Sequence, residues 1–257
     1  MMNSGILSHS DLLKLKRWNT PTIYNGWECI TKHDRTKGFF NLEQTHDYMP
    51  EMGPMVGYAV TLKIKPSDSS IPKNNPDAWT AYREYMANLE GPKIVIVEDR
   101  DKPAIIGSFW GEVNSNIHRS LGCVGTITDG AIRDIDEMVN AGFKALAKGT
   151  CVGHAYVCPE TWGEEVEVFG CKVSPGDLIH ADKHGFLIIP PEDQENLLEA
   201  AVFMDSNECN TMIDVARRPQ GQSIEEFLKK LDEAGARFRK ATKDRFNQSN
   251  HHEHDNT

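Results

Sequence analysis

The chain has 257 residues, which is long enough for one large domain or for a core domain with appendages. Its formal net charge of −10 at pH 7 argues against a basic track for nucleic-acid phosphates, so we expect no nucleic-acid partner. The same acidity repels anions, so a site for an anionic substrate would need backbone amides, an arginine or a metal ion.

The cysteines and the apolar segments give two further expectations. Six cysteines occur without a Cys-x-x-Cys pair, the chain is far too long for a disulfide scaffold, and it shows no signal-peptide pattern. We therefore expect reduced thiols in a cytoplasmic protein. No apolar run approaches the roughly 20 residues that span a bilayer, so we expect no membrane partner.

The N-terminal part of the chain is predicted to begin with a flexible segment over 1–9 and to continue as alternating helices and strands. Leucines at helical spacing follow the potential cap Ser10, and Thr22 can cap a second helix. The predicted helices are 10–18, 23–30 and 76–89, the strands 56–64 and 93–98, and the loops 32–54 and 65–75.

The middle of the chain, residues 110–137, brings together the residue types that carry chemistry. Gly111 opens a predicted helix over 112–121, and the apolar run 123–128 indicates a buried strand. Asp129-Gly130 is typical of a turn, which we expect to end that strand. The elements predicted to follow are a helix at 135–141 and a strand at 143–147.

The C-terminal part differs from the rest of the chain in its residue pattern. Residues 166–190 alternate between apolar runs and turns and predict three short antiparallel strands. A long helix is predicted at 192–216, and the capping box Ser223-x-x-Glu226 opens a last helix. We expect a helical extension over 191–243 and a disordered tail over 244–257. The order of elements predicts an α/β fold, a parallel sheet with an antiparallel layer packed against it.

Two features could form a functional site, and each has a plainer alternative. Backbone amides after Gly111 and the positive end of the helix could hold a carboxylate or phosphate, or they could be an ordinary helix start. Arg133-Asp134 could pair an anion donor with a Mg²⁺ ligand. It could equally be a surface salt bridge with Asp136 or Glu137, or an N-cap for the following helix.

Other titratable residues are better explained by structure than by function. Cys151-x-x-His154 with Cys158 lacks the second pair that a zinc site requires. His118 and Arg119 are predicted to lie on a solvated face of the helix after Gly111. The histidines at 251, 252 and 254 fall in the predicted tail.

The segment 110–134, followed by Glu137, resembles the signature of the RraA-like family. That family includes divalent-metal-dependent 4-hydroxy-4-methyl-2-oxoglutarate/4-carboxy-4-hydroxy-2-oxoadipate aldolases and the regulators of ribonuclease activity named RraA. The segments 19–22, 57–61, 175–179 and 185–190 resemble the family's flanking segments, so the resemblance covers about residues 10–190. It implies a catalytic domain over 10–190 with the family's α/β/β sandwich of the swivelling-domain type, and a homotrimer or homohexamer. The C-terminal helices predicted after Pro190 are extra to the family pattern.

The resemblance also implies an activity, a lyase that cleaves a 2-oxo acid through a pyruvate enolate with Mg²⁺ or Mn²⁺. Examples are 4-hydroxy-4-methyl-2-oxoglutarate aldolase and oxaloacetate decarboxylase. Arg133 and Asp134 would be catalytic, Arg133 at the enolate oxygen and Asp134 at the metal, with Glu137 acting through the metal's water. The substrate carboxylate would lie on the amides of Gly111, Glu112, Val113 and Asn114.

The family resemblance leaves a second function open, a protein-binding regulator of ribonuclease activity without catalysis. The chain also departs from the family pattern, because its helix after Gly111 reads Glu-Val-Asn-Ser-Asn-Ile-His instead of being small and apolar. Asn114 and Asn116 could therefore reshape the pocket or bond a polyhydroxy substrate.

Overall fold

A computed structural model describes residues 7–218 and 220–246. The helices are α1 (His9–Leu15), α2 (Thr20–Ile30), α3 (Ser70–Asn74), α4 (Ala78–Ala87), α5 (Glu112–Ser120), α6 (Ile135–Asn140), α7 (Pro191–Glu208), α8 (Asp214–Ala216) and α9 (Ile224–Phe246). The strands are β1 (His46–Asp47), β2 (Met55–Ile64), β3 (Lys93–Asp99), β4 (Ser108–Trp110), β5 (Cys123–Ile132), β6 (Lys144–Thr150), β7 (Thr161–Trp162), β8 (Val166–Val168), β9 (Cys171–Val173), β10 (Leu178–Asp182) and β11 (Gly185–Ile189).

One large sheet has the strand order β1-β6-β5-β3-β2-β10-β11, with β4 beside β5 and β7 beside β2. Its centre is parallel, because β2, β3, β5 and β6 run in the same direction, and β4 joins them at β5. Strands β1, β7, β10 and β11 pair antiparallel with their neighbours. A separate pair, β8–β9, forms a small second sheet.

Both faces of the parallel centre are buried, as its continuous apolar strands require. Val95 and Val97 on one face of β3 pack in the same core as helical residues such as Tyr82. Ile94 and Ile96 on the other face pack in the core that contains the β8–β9 sheet. Helices therefore cover one face of the sheet and a β layer the other, which confirms the predicted fold class, including its extra C-terminal helices.

The predicted turn at Asp129-Gly130 is wrong, because β5 continues through both residues to Ile132. Asp129 is satisfied inside the sheet, where its Oδ1 accepts the amide hydrogen of Asp99 at 2.8 Å. A Cβ at position 130 would lie 2.7 Å from Asp99 Oδ2, so only glycine allows this approach of the two strands. A register shift between Thr128 and Ala131 absorbs the irregularity.

Smaller differences concern the predicted loops and the long C-terminal helix. The loop 32–54 contains β1 and a 3₁₀ turn at Pro50–Met52, and the loop 65–75 contains α3. The predicted helix 192–216 is interrupted after Glu208 by a π-helical turn at Cys209–Ile213. Helix α9 begins after the predicted Ser223 cap, whose Oγ accepts the amide hydrogen of Glu226 at 3.1 Å.

The described chain separates into two compact units. The first contains the residues up to Thr20 and Asp34–Glu192, and with them both sheets. The second contains Pro21–His33 and the chain from Asp193 onward. Within it the indole Nε1 of Trp27 donates to Asp193 Oδ2 at 2.8 Å.

The predicted terminal segments lie largely outside the described residues. Residues 1–6 of the predicted flexible N-terminus and 247–257 of the predicted tail, with its histidines, belong to that remainder. Helix α9 itself continues to Phe246, three residues into the segment predicted as tail. Within the described ranges, no helix is both long enough and apolar enough to cross a membrane.

Candidate functional site

The candidate site lies where the parallel strands β4, β5 and β6 end. Gly111 follows β4, Arg133-Asp134 follows β5, and Cys151 follows β6. Trp110 and Ile132 are paired across β4 and β5, and the amide of Arg133 donates to Trp110 O at 3.2 Å. The two halves of the predicted site are therefore brought together, at the sheet edge where α/β proteins commonly bind ligands.

Gly111 owes its place to close packing. Its backbone is extended, with φ −175° and ψ −171°, which any residue can adopt. A Cβ at this position, however, would lie 2.6 Å from Asp134 Oδ2 and 3.3 Å from Arg133 Nε. A glycine is therefore required here by close packing and not by a special backbone conformation.

Asp134 joins the two halves of the site. Its backbone is left-handed, with φ 55° and ψ 50°, a conformation that costs about 1 kcal/mol or more in a non-glycine residue. Its side chain makes no capping bond to α6; instead Oδ2 accepts the amide hydrogen of Glu112, at 3.1 Å, at the start of α5. The carboxylate thus lies at the positive end of α5.

The start of α5 keeps only part of the predicted anion cradle free. Because the Glu112 amide is bonded to Asp134, it is not available to a ligand. Within the described residues, the amides of Val113 and Asn114 have no acceptor, and Val113 is 71% exposed. Both asparagine side chains bond to backbone, Asn114 Nδ2 to Phe109 O at 2.7 Å and Asn116 Nδ2 to Glu112 O at 2.8 Å.

The guanidinium of Arg133 is held at two points. Its Nε lies 3.6 Å from Asp134 Oδ2, and its Nη1 donates to Val152 O at 3.2 Å. Each side chain of the Arg133–Asp134 pair is 37% exposed, so the pair faces solvent. In the described part of the chain Nη2 has no acceptor, which leaves one edge of the planar donor group for a ligand.

A buried carboxyl group, Asp99, lies at the same sheet edge and was not predicted from the sequence. Burial raises the pKa of Asp99 to about 6, and the negative charges of Asp101 and Asp129 act in the same direction. The hydrogen bond from the Asp101 amide and the positive charge of Lys102 partly offset this rise. Its Oδ2 has no hydrogen-bond partner in the described chain. Burial raises the pKa of the Cys151 thiol. The positive charge of Arg133 lowers that pKa and the negative charge of Asp99 raises it. The available sequence signal was an acid directly after a buried strand.

A divalent ion that keeps most of its water fits this site. Within the described residues, no three His, Cys, Asp or Glu side chains gather around a possible metal position. Asp134 Oδ1 accepts no hydrogen bond from that part of the chain, and Glu137 is exposed on the first turn of α6. One free carboxylate oxygen with a second acid nearby suits Mg²⁺ or Mn²⁺, whereas a structural zinc site needs four protein ligands.

The expectation that His118 lies on a solvated face is wrong. The residue is fully buried, its ring 4.7 Å from that of Trp110. Its Nδ1 is 2.7 Å from Asn114 O and its Nε2 3.2 Å from the Tyr82 hydroxyl. Burial lowers the pKa of His118 to about 4, so the ring is neutral and belongs to the core beneath α5. Arg119 is exposed, as predicted.

Comparisons with known proteins support the family resemblance of the sequence and match the observed fold. The family model described as RraA-like, Aldolase/RraA, matches residues 20–188. A protein of Halalkalibacterium halodurans named "Putative 4-hydroxy-4-methyl-2-oxoglutarate aldolase" is 27% identical over 179 residues, covering 67% of this chain and 76% of its own length.

Two solved structures share the fold. An uncharacterized protein from Pseudomonas syringae superposes with a TM-score of 0.67 at 18% identity, covering 92% of this chain and 97% of its own. Streptomyces coelicolor RraAS2, described as an unusual member of the RNase ES inhibitor RraA protein family, gives 0.61 at 19% identity, covering 83% and 98%.

Proposed function

The chain belongs to the RraA-like (Aldolase/RraA) family, and from this premise we propose that it is a divalent-metal-dependent lyase that cleaves a 2-oxo acid through a pyruvate enolate. One observation carries the proposal: Asp134 lies against Gly111 and bonds the first amide of α5. The candidate metal ligand, the candidate anion donor Arg133 and the free amides of α5 are therefore neighbours. The aldolase name of the Halalkalibacterium relative supports the substrate class, with 4-hydroxy-4-methyl-2-oxoglutarate or oxaloacetate as candidates.

Asp134 would hold Mg²⁺ or Mn²⁺ through Oδ1, and Glu137 would support the ion's water shell. When bound, such an ion polarises the keto oxygen of the substrate as a Lewis acid. Asp134 Oδ2 would stay on the Glu112 amide, which fixes the carboxylate and leaves Oδ1 without a bond from the described chain.

The substrate carboxylate would lie on the amides of Val113 and Asn114. These are the two donors at the start of α5 that the described chain leaves free. Of the four residues in the predicted cradle, Gly111 would provide the close approach and Glu112 the anchor for Asp134. The helix end adds a favourable field for an anion, worth about 0.3–1 kcal/mol at an exposed site.

Arg133 would stabilise the enolate oxygen that forms when the bond between the two carbon fragments breaks. The electron pair of that bond would move into the former keto group to form the enolate. The second fragment would leave as a carbonyl compound, its hydroxyl proton passing to water, or as CO2 from oxaloacetate. A proton from water would then convert the enolate into pyruvate. Because Asp134 and Val152 O fix the guanidinium, its Nη2 edge is oriented before substrate binds. Removing such a donor typically costs 10²- to 10³-fold in kcat.

The assay measures pyruvate release from oxaloacetate and from 4-hydroxy-4-methyl-2-oxoglutarate, with and without Mg²⁺ or Mn²⁺. We expect metal-dependent release that falls about 10²-fold in Arg133→Ala. Arg237→Ala, which removes an exposed arginine of α9, is the control and should keep full activity. Absence of release with any metal would contradict the lyase and leave the non-catalytic regulator.

We also propose that the protein assembles as a homotrimer or homohexamer in the cytoplasm. Support comes from large apolar side chains exposed beside the site, with Val113 at 71%, Val152 at 94% and Tyr156 at 56%. Such residues commonly mark a surface that another chain covers. Light scattering after size exclusion should give a mass of three or six chains; a monomer would contradict the assembly.

A further inference from the structure

A pocket opens at the amino ends of β3 and β5, the sheet edge opposite the candidate site. Its volume is about 510 Å³, within the range of small-molecule sites. Lys93 begins β3, Arg119 lies in the last turn of α5, and Lys16 follows α1. All of these residues belong to the first compact unit.

The charged residues that line this pocket are all cationic, namely Lys16, Lys93 and Arg119. The lining contains no Asp or Glu, in a chain whose net charge is −10. The side chains of Lys16 and Arg119 form no ion pair or hydrogen bond with the described residues. Burial and then the charges of Arg119 and Lys144 lower the pKa of Lys16, so these cations lie close enough to repel one another.

Lys93 forms the floor of the pocket. The residue is 4% exposed, and its Nζ donates to Met86 O and Leu89 O, each at 2.8 Å, at the end of α4. Because an ammonium group has three donors, one remains. A Cβ at position 122 would lie 3.8 Å from Nζ, and Gly122, with φ +86°, leaves that side uncovered.

Several backbone carbonyl groups at the helix ends around the pocket are already hydrogen-bonded. Those in the last turn of α5 accept from the amides of Leu121 and Gly122, and Met86 O and Leu89 O at the end of α4 accept from Lys93. Asp47, an acid at the same end of the sheet, is bound by Lys144 at 2.6 Å, and both side chains are 2% exposed. Among the residues that line the pocket, the cations have no acidic counter-charge.

We propose that this pocket binds a small organic dianion, a phosphate monoester or a dicarboxylate. Its charged head would lie between Lys16, Lys93 and Arg119, where three cationic groups match a dianion better than a monoanion. Its apolar part would contact the side chains of Leu12, Val56 and Val124, which line the same cavity. The proposal does not depend on the lyase function, because the pocket lies at the other edge of the sheet.

Calorimetric titration of the full chain without metal tests the proposal. Phenyl phosphate represents the monoester, benzylmalonate the dicarboxylate and benzoate the monoanion. We expect at least one dianion to bind roughly tenfold more tightly than benzoate. Binding of phenyl phosphate alone would identify a monoester site, binding of benzylmalonate alone a dicarboxylate site, and binding of both a site that recognises charge.

Variants locate the binding. The double variant K16Q/R119Q should weaken dianion binding roughly tenfold or more. Lys14→Gln, which changes a lysine in the last turn of α1 that is paired with Asp11, should not weaken it. Arg133→Ala should leave the affinity unchanged, which distinguishes this pocket from the lyase site. Circular dichroism verifies folding, and Lys93 is left intact because it caps α4. Equal affinity in K16Q/R119Q, loss in Arg133→Ala, or no preference for dianions would overturn the proposal.

Discussion

At the scale of single residues, the candidate site depends on one close approach. Gly111 and Asp134 are far apart in the chain, but the pairing of β4 with β5 places them in van der Waals contact. Asp134 therefore contributes to two helices. Its carboxylate accepts a hydrogen bond from the first amide of α5, and its backbone immediately precedes α6. The chemistry proposed here requires that Asp134 keep this position within a few tenths of an ångström.

Gly111→Ala should therefore remove activity without unfolding the protein. The added methyl group would lie 2.6 Å from Asp134 Oδ2, so the carboxylate must move and lose the Glu112 amide. We expect pyruvate release to fall roughly 10- to 100-fold, as for lost support of a metal ligand. Gly153→Ala, near the same edge with no atom within 4 Å of the new Cβ, is the control. Wild-type activity of Gly111→Ala would contradict the proposed role of Asp134.

Asp99 gives a prediction about pH. Its pKa rises from 3.8 to about 6 on folding, so the folded state carries a cost above pH 6 that disappears below about pH 4. The shift corresponds to at most about 3 kcal/mol. Asp99→Asn has no charge to bury and should gain stability over the wild type as pH rises from 4 to 6, with a plateau above.

Urea unfolding of both proteins at a series of pH values measures that difference. Two buried histidines, His118 and His180, have their pKa lowered by burial to about 4 and act in the opposite direction. Because both proteins contain them, their effect cancels in the comparison. A difference in stability that stays constant between pH 4 and 8 would show that Asp99 is not a buried titrating group.

At the scale of elements, local pattern predicted most of the helices and strands and failed where a distant residue completes the bonding. The helix at 112–121 and the strand at 56–64 are found at 112–120 and 55–64, since their apolar spacing reflects the faces they bury. Asp129-Gly130 has the composition of a turn, but Asp99, 30 residues earlier, keeps it in the strand. Likewise, the sequence could propose Gly111 and Arg133-Asp134 as site residues, whereas the Asp134–Glu112 bond is visible only in the fold.

At the start of α2, too, a residue distant in the chain completes the hydrogen bonding, and from this contact we expect an effect on stability. Asp182 Oδ2 accepts the amide hydrogen of Thr20 at 2.8 Å, and Oδ1 accepts that of His184 at 2.9 Å. Asp182→Ala leaves both donors without these acceptors and should lower the free energy of unfolding by about 1–3 kcal/mol. Asp34→Ala, which removes an exposed acid bonded to Thr36, should cost much less in the same urea experiment. Equal losses in both variants would contradict this.

At the scale of the whole molecule, the chain separates into two compact units, each of which combines segments that are far apart in the sequence. The sequence predicted a division at residue 190, and that domain division remains a proposal. The compact units add Pro21–His33 to the C-terminal helices. Local pattern could predict each helix but not which helices share a core, because Trp27 and Asp193 meet across 166 residues of chain. Gly26 packs as closely, since a Cβ there would lie 2.6 Å from Ala201 N.

Trp27→Phe should therefore open the second unit locally. The variant keeps an aromatic ring but leaves the Asp193 carboxylate, which is 6% exposed, without its indole donor, at a cost of about 1–3 kcal/mol. Because compact units can open separately, hydrogen exchange should quicken in Pro21–His33 and in the described residues from Asp193 onward. The amides of β3 and β5 should keep their protection.

Trp18→Phe is the control, because it makes the same change of ring in the first unit and should leave exchange in α7 and α9 unaltered. Uniform acceleration across both units in Trp27→Phe would mean that the protein opens as one body.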